Sequence, residues 1–208
     1  MSTSQFAFAL RYPIRFKVVL KYLGQLNIVL SMLVLAPFTV SLLFKDYAIS
    51  FRYGVVAVSL FTLGIALSRL PGTKRIQTNE AMGITAFAFL FAPLVMSYPM
   101  MWADLTFIDA VFESISAVTT TGLSTTATMA GKSETFQFAR AWMQWYGGLS
   151  IVVLALAFMI QPGLAAKRLG SMGEYEDDLI GATRSHVRHI LLVYGILTAL
   201  GIAALVTL

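Results

Sequence analysis

Hydrophobic positions along this chain come in long runs divided by short polar links, and the lengths of those runs set the first picture. Residues 23–44, 51–70, 81–101, 136–160 and 190–208 are dominated by Leu, Val, Ile, Ala and Phe. As helices rising about 1.5 Å per residue, each is long enough to cross a hydrocarbon core of about 30 Å, the last only barely. Pro37 lies inside the first run and predicts a kink whose freed carbonyl is taken up by a neighbour, with a hinge as the alternative. Residues 45–50 close a helical hairpin, and Pro71-Gly72 breaks the second helix ahead of a polar loop over 73–79. Thr78 or Asn79 is placed to cap the third run, with Glu80 in its favourable first turn and Tyr98 and Trp102 as an interfacial belt at its end.

One stretch breaks the pattern. Residues 105–126, LTFIDAVFESISAVTTTGLSTT, read as a short amphipathic helix over 106–118 that stops in a run of threonines. A helix of about thirteen residues rises only about 20 Å, too little to cross the bilayer, so the chain must enter and turn back. Non-helical backbone at that depth is tolerated only where it is buried in protein or lines a watery cavity. The predicted fold is an all-α integral membrane protein. It has a leader hairpin of two transmembrane helices (1–72), then a unit of helix, re-entrant loop and helix (73–160), with the short helix at 106–118 and its oxygen-rich continuation at 119–126. A loop over 161–189 and the first helix of an incomplete second unit (190–208) follow.

Composition sharpens the class. The chain is 58% apolar and 12% charged, against roughly 25% charged in soluble domains. Its net charge of +5 does not point to nucleic acid, because the basic residues sit between apolar runs rather than on one soluble face. No cysteine is present, which excludes disulfides and thiolate metal sites. The amino terminus lacks the compact apolar core and small-residue cleavage site of a signal peptide. Counted on alternate sides, about eleven Lys and Arg fall at the amino terminus, in 69–75 and in 167–188, against Lys45, Arg52 and Lys132 on the other side, with Arg140 just inside the fourth run. The positive-inside rule then puts the amino terminus and the 161–189 loop in the cytoplasm, and the re-entrant stretch opens outward.

Thr119 to Ser124 offer carbonyl oxygens, hydroxyls and, at Gly122, a residue free to take positive φ. The plain alternative is that the hydroxyls bond back to a helical turn and Gly122 merely ends a helix. The setting between two full spans favours a cation filter, in which backbone carbonyls replace an ion's hydration shell. The short helix would aim its unsatisfied carbonyls, and their partial negative charge, at the same point. Asp109 and Glu113 lie four apart on that helix and either cap and anchor it or concentrate cations at the outer mouth. Arg140 either snorkels to the interface or, the favoured reading, pairs with Asp109, Glu113 or Glu134. Gly147 and Gly148 permit close helix approach, with a flexible gate as the alternative. His186 and His189, with Glu174, Asp177 and Asp178 nearby, are conceivable metal ligands, but a cytoplasmic loop gathers such charges anyway. With no convincing nucleophile or base inside the runs, an enzyme is not expected.

The series Phe107-x-Asp109-Ala110-x-Phe112-Glu113-Ser114-x-Ser116, Thr119-Thr120-Thr121-Gly122 and Arg140-Ala141-x-x-Gln144-Trp145-x-Gly147-Gly148 resembles the first pore unit of the Trk/Ktr/HKT superfamily of potassium transporters. The two leading helices resemble the leader of its Trk-type branch. The resemblance implies four helix, pore-loop, helix units around one pathway in the cytoplasmic membrane, carrying potassium, in some members with sodium. It also implies a cytoplasmic nucleotide-binding ring as regulator. The family's filter glycine falls on Gly122, flanked by Thr120, Thr121, Leu123 and Ser124. The implied partners are membrane lipid and further pore units or copies of the chain, with no nucleic acid. Potassium is the transported ion, and no catalytic cofactor is expected. Two departures stand out. Residues 147–151 read GGLSI where the family often has a third glycine, and the chain holds one complete unit where the family carries four. The chain is therefore expected to be a fragment, a truncated product or a subunit that gathers copies, the alternative being an inactive assembly module.

Overall fold

The computed structural model describes residues 14–71, 76, 78–129, 131–160 and 176–207. Among the described residues six helices follow one another: α1 Phe16–Leu43, α2 Tyr47–Ser68, α3 Thr78–Met100, α4 Phe107–Val118, α5 Glu134–Ile160 and α6 Glu176–Thr207. A 3₁₀ turn, Met101–Ala103, links α3 to the approach of α4. No strand occurs among the described residues. Among the described residues four helical stretches are long and apolar enough to cross a membrane: Phe16–Leu43, Tyr47–Ser68, Glu80–Ala103 and Arg188–Thr207. The protein is an all-α integral membrane protein. The chain divides into two compact units, Met1–Trp145 and Tyr146–Leu208, with the boundary inside α5.

In the first unit α1 and α2 form an antiparallel hairpin. The buried positions of α1 include Gly24, Asn27, Ser31, Val34, Pro37 and Ser41, spaced three or four apart, while Val29, Met32 and Leu35 are exposed. The small and polar side chains thus face protein and the large apolar ones face outward, the arrangement expected when lipid rather than water surrounds the helices. The two helices come closest at Gly24 and Gly64. A Cβ on Gly24 would lie 2.5 Å from the Ser68 backbone nitrogen and 2.7 Å from Leu67 Cβ, and one on Gly64 would lie 2.7 Å from Ile28 Cγ1. At the turn, Lys45 takes φ 60° and the Ser50 hydroxyl donates to that of Ser41 at 2.8 Å.

Pro37 has no N–H to offer the carbonyl of Leu33 one turn earlier. The indole Nε1 of Trp142, on α5, donates to that carbonyl at 2.9 Å. The neighbour expected from the sequence to take up the freed acceptor is thereby identified. Thr135 Oγ1, near the start of α5, donates to Asp46 Oδ2 in the hairpin turn at 2.7 Å. Fully buried Tyr53, Phe136, Ile49, Met100 and Met143 come from α2, α3 and α5 and fill the space beside the hairpin.

Glu80 does more than favour the first turn of α3. Its side chain is fully buried and receives Arg15 Nε at 2.9 Å, the second guanidinium arm at 2.8 Å and the Arg15 backbone N–H at 3.0 Å. The forked, charge-assisted contact ties the start of α1 to the start of α3. The expected cap by Thr78 or Asn79 lies outside the described side chains.

Helix ends differ from the apolar boundaries. α1 starts at Phe16, ahead of the apolar run at 23, and α6 starts at Glu176, so residues 176–189 of the expected 161–189 loop are helical. Backbone bonding along a helix does not require apolar side chains, so it runs on through these charged and polar residues. The helix therefore extends past the part that is apolar enough for lipid.

Candidate functional site

The short helix α4 begins at Thr106, whose hydroxyl accepts the Asp109 N–H at 3.2 Å and donates to Asp109 Oδ2 at 2.6 Å. Asp109 is thus a capping residue in the first turn, where a carboxylate also suits the helix dipole. At twelve residues α4 is about 18 Å long.

Its far end closes in a Schellman arrangement. The Thr120 N–H bonds to the Ala117 carbonyl and the Thr121 N–H to the Ser116 carbonyl, both at 2.9 Å, and the Gly122 N–H also points to Ser116 at 3.4 Å. This pattern needs a left-handed residue just past the helix, and Thr120 supplies it with φ 58°. Gly122 follows at φ 77°. A Cβ on Gly122 would meet nothing nearer than Gln144 Nε2 at 3.9 Å, so the backbone angle, rather than space, is what calls for glycine there.

Carbonyl direction follows from peptide geometry. In a planar trans peptide the C=O of one residue is antiparallel to the N–H of the next. The N–H groups of Thr120, Thr121 and Gly122 point back to the helix end, so the carbonyls of Thr119, Thr120 and Thr121 point away from it. None of these three carbonyls accepts a hydrogen bond among the described residues, and residues 120–122 are exposed. Three bare backbone oxygens therefore project along the line of the α4 dipole from its negative end.

The two residues after Gly122 are used differently. The Leu123 carbonyl accepts the Ser116 hydroxyl at 2.6 Å and the Arg140 guanidinium at 2.8 Å, so it braces the segment rather than joining the bare oxygens. The Ser124 hydroxyl turns to Glu113 Oε1 at 2.6 Å, where it is joined by the Thr125 N–H at 2.7 Å and the Thr125 hydroxyl at 3.2 Å. Back-bonding to the helix holds for the Thr119 hydroxyl, which donates to Ile115 at 2.8 Å and also contacts the Thr121 hydroxyl at 2.8 Å.

Glu113 is fully buried behind this loop. Three donors on Oε1 and an ion pair to Arg140 occupy it, the contacts of an anchoring residue. Oε2 lies 2.7 Å from Arg140 Nε, but the N–H is not aimed along the contact, so the attraction is that of two charges rather than of a linear hydrogen bond. Of the three carboxylates weighed as partners for Arg140, the structure selects Glu113. The pair cancels the guanidinium charge behind the segment that carries the bare oxygens. Gly147 and Gly148 lie farther along α5 in the second unit, Gly147 buried. The conceivable ligands Glu174, Asp177, Asp178 and His186 fall outside the described side chains.

No contact was read from the sequence for Ser116, Thr125 or Gln144, although Ser116 and Gln144 stand in the motif series and Thr125 in the 119–126 segment. The i, i+3 spacing of Glu113 and Ser116 on one helical face was the available sign for Ser116; nothing local marked the other two.

The TrkH family model, described as a cation transport protein, matches residues 47–208. A Trk system potassium uptake protein, TrkH, of Halomonas elongata is 33% identical over 171 residues, covering 79% of this chain and 34% of the relative. The Trk system potassium uptake protein TrkG of Escherichia coli is 29% identical over 172 residues, covering 78% of this chain and 35% of the relative. An uncharacterized cation transporter of Methanocaldococcus jannaschii is 26% identical over 190 residues, covering 90% of this chain and 40% of the relative. The chain thus spans between 34% and 40% of the length of these relatives.

Proposed function

Because the chain belongs to the TrkH family of cation transport proteins, we propose that it supplies one of four re-entrant loops around a potassium uptake pathway. The observation that carries this reading is the set of bare carbonyls on Thr119, Thr120 and Thr121 at the negative end of α4. An ion stripped of water needs oxygens on every side, and one strand furnishes one side, so further pore units or copies of the chain complete the ring. The work of this chain is to hold its oxygens still. Ser116 and Arg140 fix the Leu123 carbonyl, Glu113 fixes Ser124 and Thr125, and the charge of Arg140 is neutralised before it repels the cation. Transport, not catalysis, is the activity.

The distribution of Lys and Arg supports an amino terminus on the cytoplasmic side of the cytoplasmic membrane, with the loop after α4 opening outward. A cytoplasmic nucleotide-binding ring as regulator rests on the family resemblance. The test is rubidium uptake by potassium-uptake-deficient cells expressing the complete gene. Wild type restores uptake and Gly122→Arg abolishes it. Equal uptake by the variant would refute the filter assignment.

A further inference from the structure

Trp142 lies between Arg140 and Gln144 on α5. At about 100° per residue, Arg140 and Gln144 share one face and Trp142 occupies the opposite one. The first face reaches the loop: Arg140 donates to the Leu123 carbonyl at 2.8 Å, and the Gln144 amide stands 3.9 Å from where a Cβ on Gly122 would be. The opposite face reaches the leader hairpin, where Trp142 Nε1 fills the Leu33 carbonyl that Pro37 leaves without its helical donor. An unfilled carbonyl at this depth has no water to turn to, so the acceptor holds its partner firmly. The indole itself is pinned by stacking on Phe138, with centroids 6.1 Å apart, and on Trp145, at 5.0 Å. A second latch, Thr135 to Asp46, fixes the start of the same helix to the hairpin turn.

We propose that Trp142 is a positioning residue for the loop oxygens, and that the leader hairpin tunes ion affinity and selectivity through the Pro37–Leu33–Trp142 latch. This rests on the transport reading above. The hairpin supplies no loop of its own. It sets the rotation of α5 about its axis, and that rotation places Arg140 and Gln144 against Leu123 and Gly122.

The chemistry of the latch gives a clean separation of roles. Trp142→Phe keeps a stacking ring and removes the N–H. Pro37→Ala returns an N–H to α1 and satisfies Leu33 from within the helix. In the complete protein, Trp142→Phe is expected to raise the KM for rubidium about three- to tenfold, within the range of coupling carried through packed side chains, and to weaken discrimination against sodium. Thermal stability of the purified protein should fall as well. The double variant Pro37→Ala/Trp142→Phe should recover thermal stability, because no carbonyl is left bare, while its KM stays raised. Recovery of KM together with stability would reduce the latch to a structural bond and overturn the proposal, as would a wild-type KM in Trp142→Phe. If Trp142→Phe fails to accumulate, the double variant alone carries the test: a raised KM supports positioning and a wild-type KM refutes it. If the wild-type protein transports no rubidium at all, the transport reading fails first and takes this proposal with it.

Discussion

A threonine in the left-handed region normally costs about 1–2 kcal/mol relative to glycine. Thr120 accepts that cost at φ 58° because the Ala117 and Ser116 carbonyls would otherwise lose the N–H groups that close α4. Thr120→Gly should therefore be no less stable than wild type in thermal unfolding. Gly122→Ala should lose about 1 kcal/mol through its φ of 77°, although its new methyl meets no steric clash. Glu113 offers a sharper case. Breaking one side of a buried ion pair costs about 3–5 kcal/mol, whereas replacing both partners by apolar groups is often neutral. Glu113→Gln should thus destabilise the protein strongly, and Glu113→Leu/Arg140→Met should regain most of that loss in the same assay. Uptake should stay impaired in the double variant, because the Leu123 carbonyl loses its Arg140 donor. At this scale the sequence was informative where residue type has one meaning. Gly122 announced a positive φ, but Thr120 did not, since only the bonding of the helix end forces a threonine there. The family resemblance set Leu123 and Ser124 beside Gly122; the Leu123 carbonyl is turned to Ser116 and Arg140 and the Ser124 hydroxyl to Glu113.

Helices here are placed by small residues and by single polar contacts rather than by apolar area, which lipid satisfies equally well. Gly24→Ala puts a methyl 2.5 Å from the Ser68 backbone nitrogen, and backbone cannot swing aside. It should destabilise the hairpin by about 1–3 kcal/mol, as overpacking does. Gly83→Ala, within α3 and with nothing inside 4 Å, is the control. That change should be neutral or stabilise by up to about 1 kcal/mol from helix propensity. Melting temperatures in detergent would distinguish the two. The helices themselves were legible from run length, and the short α4 from being too short to cross. Their contacts were not: nothing in the sequence pairs Gly24 with Gly64, Arg15 with Glu80 or Trp142 with Leu33, because these partners are 40 to 109 positions apart. The start of α6 was misjudged for a related reason, since apolar content marks where lipid begins and not where helical bonding does.

The molecule presents large apolar side chains outward and encloses a few buried charges that are paired, as at Arg15 with Glu80 and Arg140 with Glu113. Buried charges in lipid are costly unless paired, and both of these pairs join elements distant in the chain. One sits at the cytoplasmic end of the proposed orientation and fastens the hairpin to α3; the other sits behind the loop. The chain matches relatives more than twice its length, and the ion-binding ring proposed above needs oxygens beyond those of this one loop. The central claim is that the carbonyls of Thr119, Thr120 and Thr121 contribute to that ring. The most direct measurement is anomalous diffraction from crystals of the complete protein soaked in thallium or rubidium. The account predicts an anomalous peak on the pore axis in coordination contact with those carbonyls, lost in Gly122→Arg. A peak coordinated elsewhere, with the three oxygens turned away from it, would contradict the account.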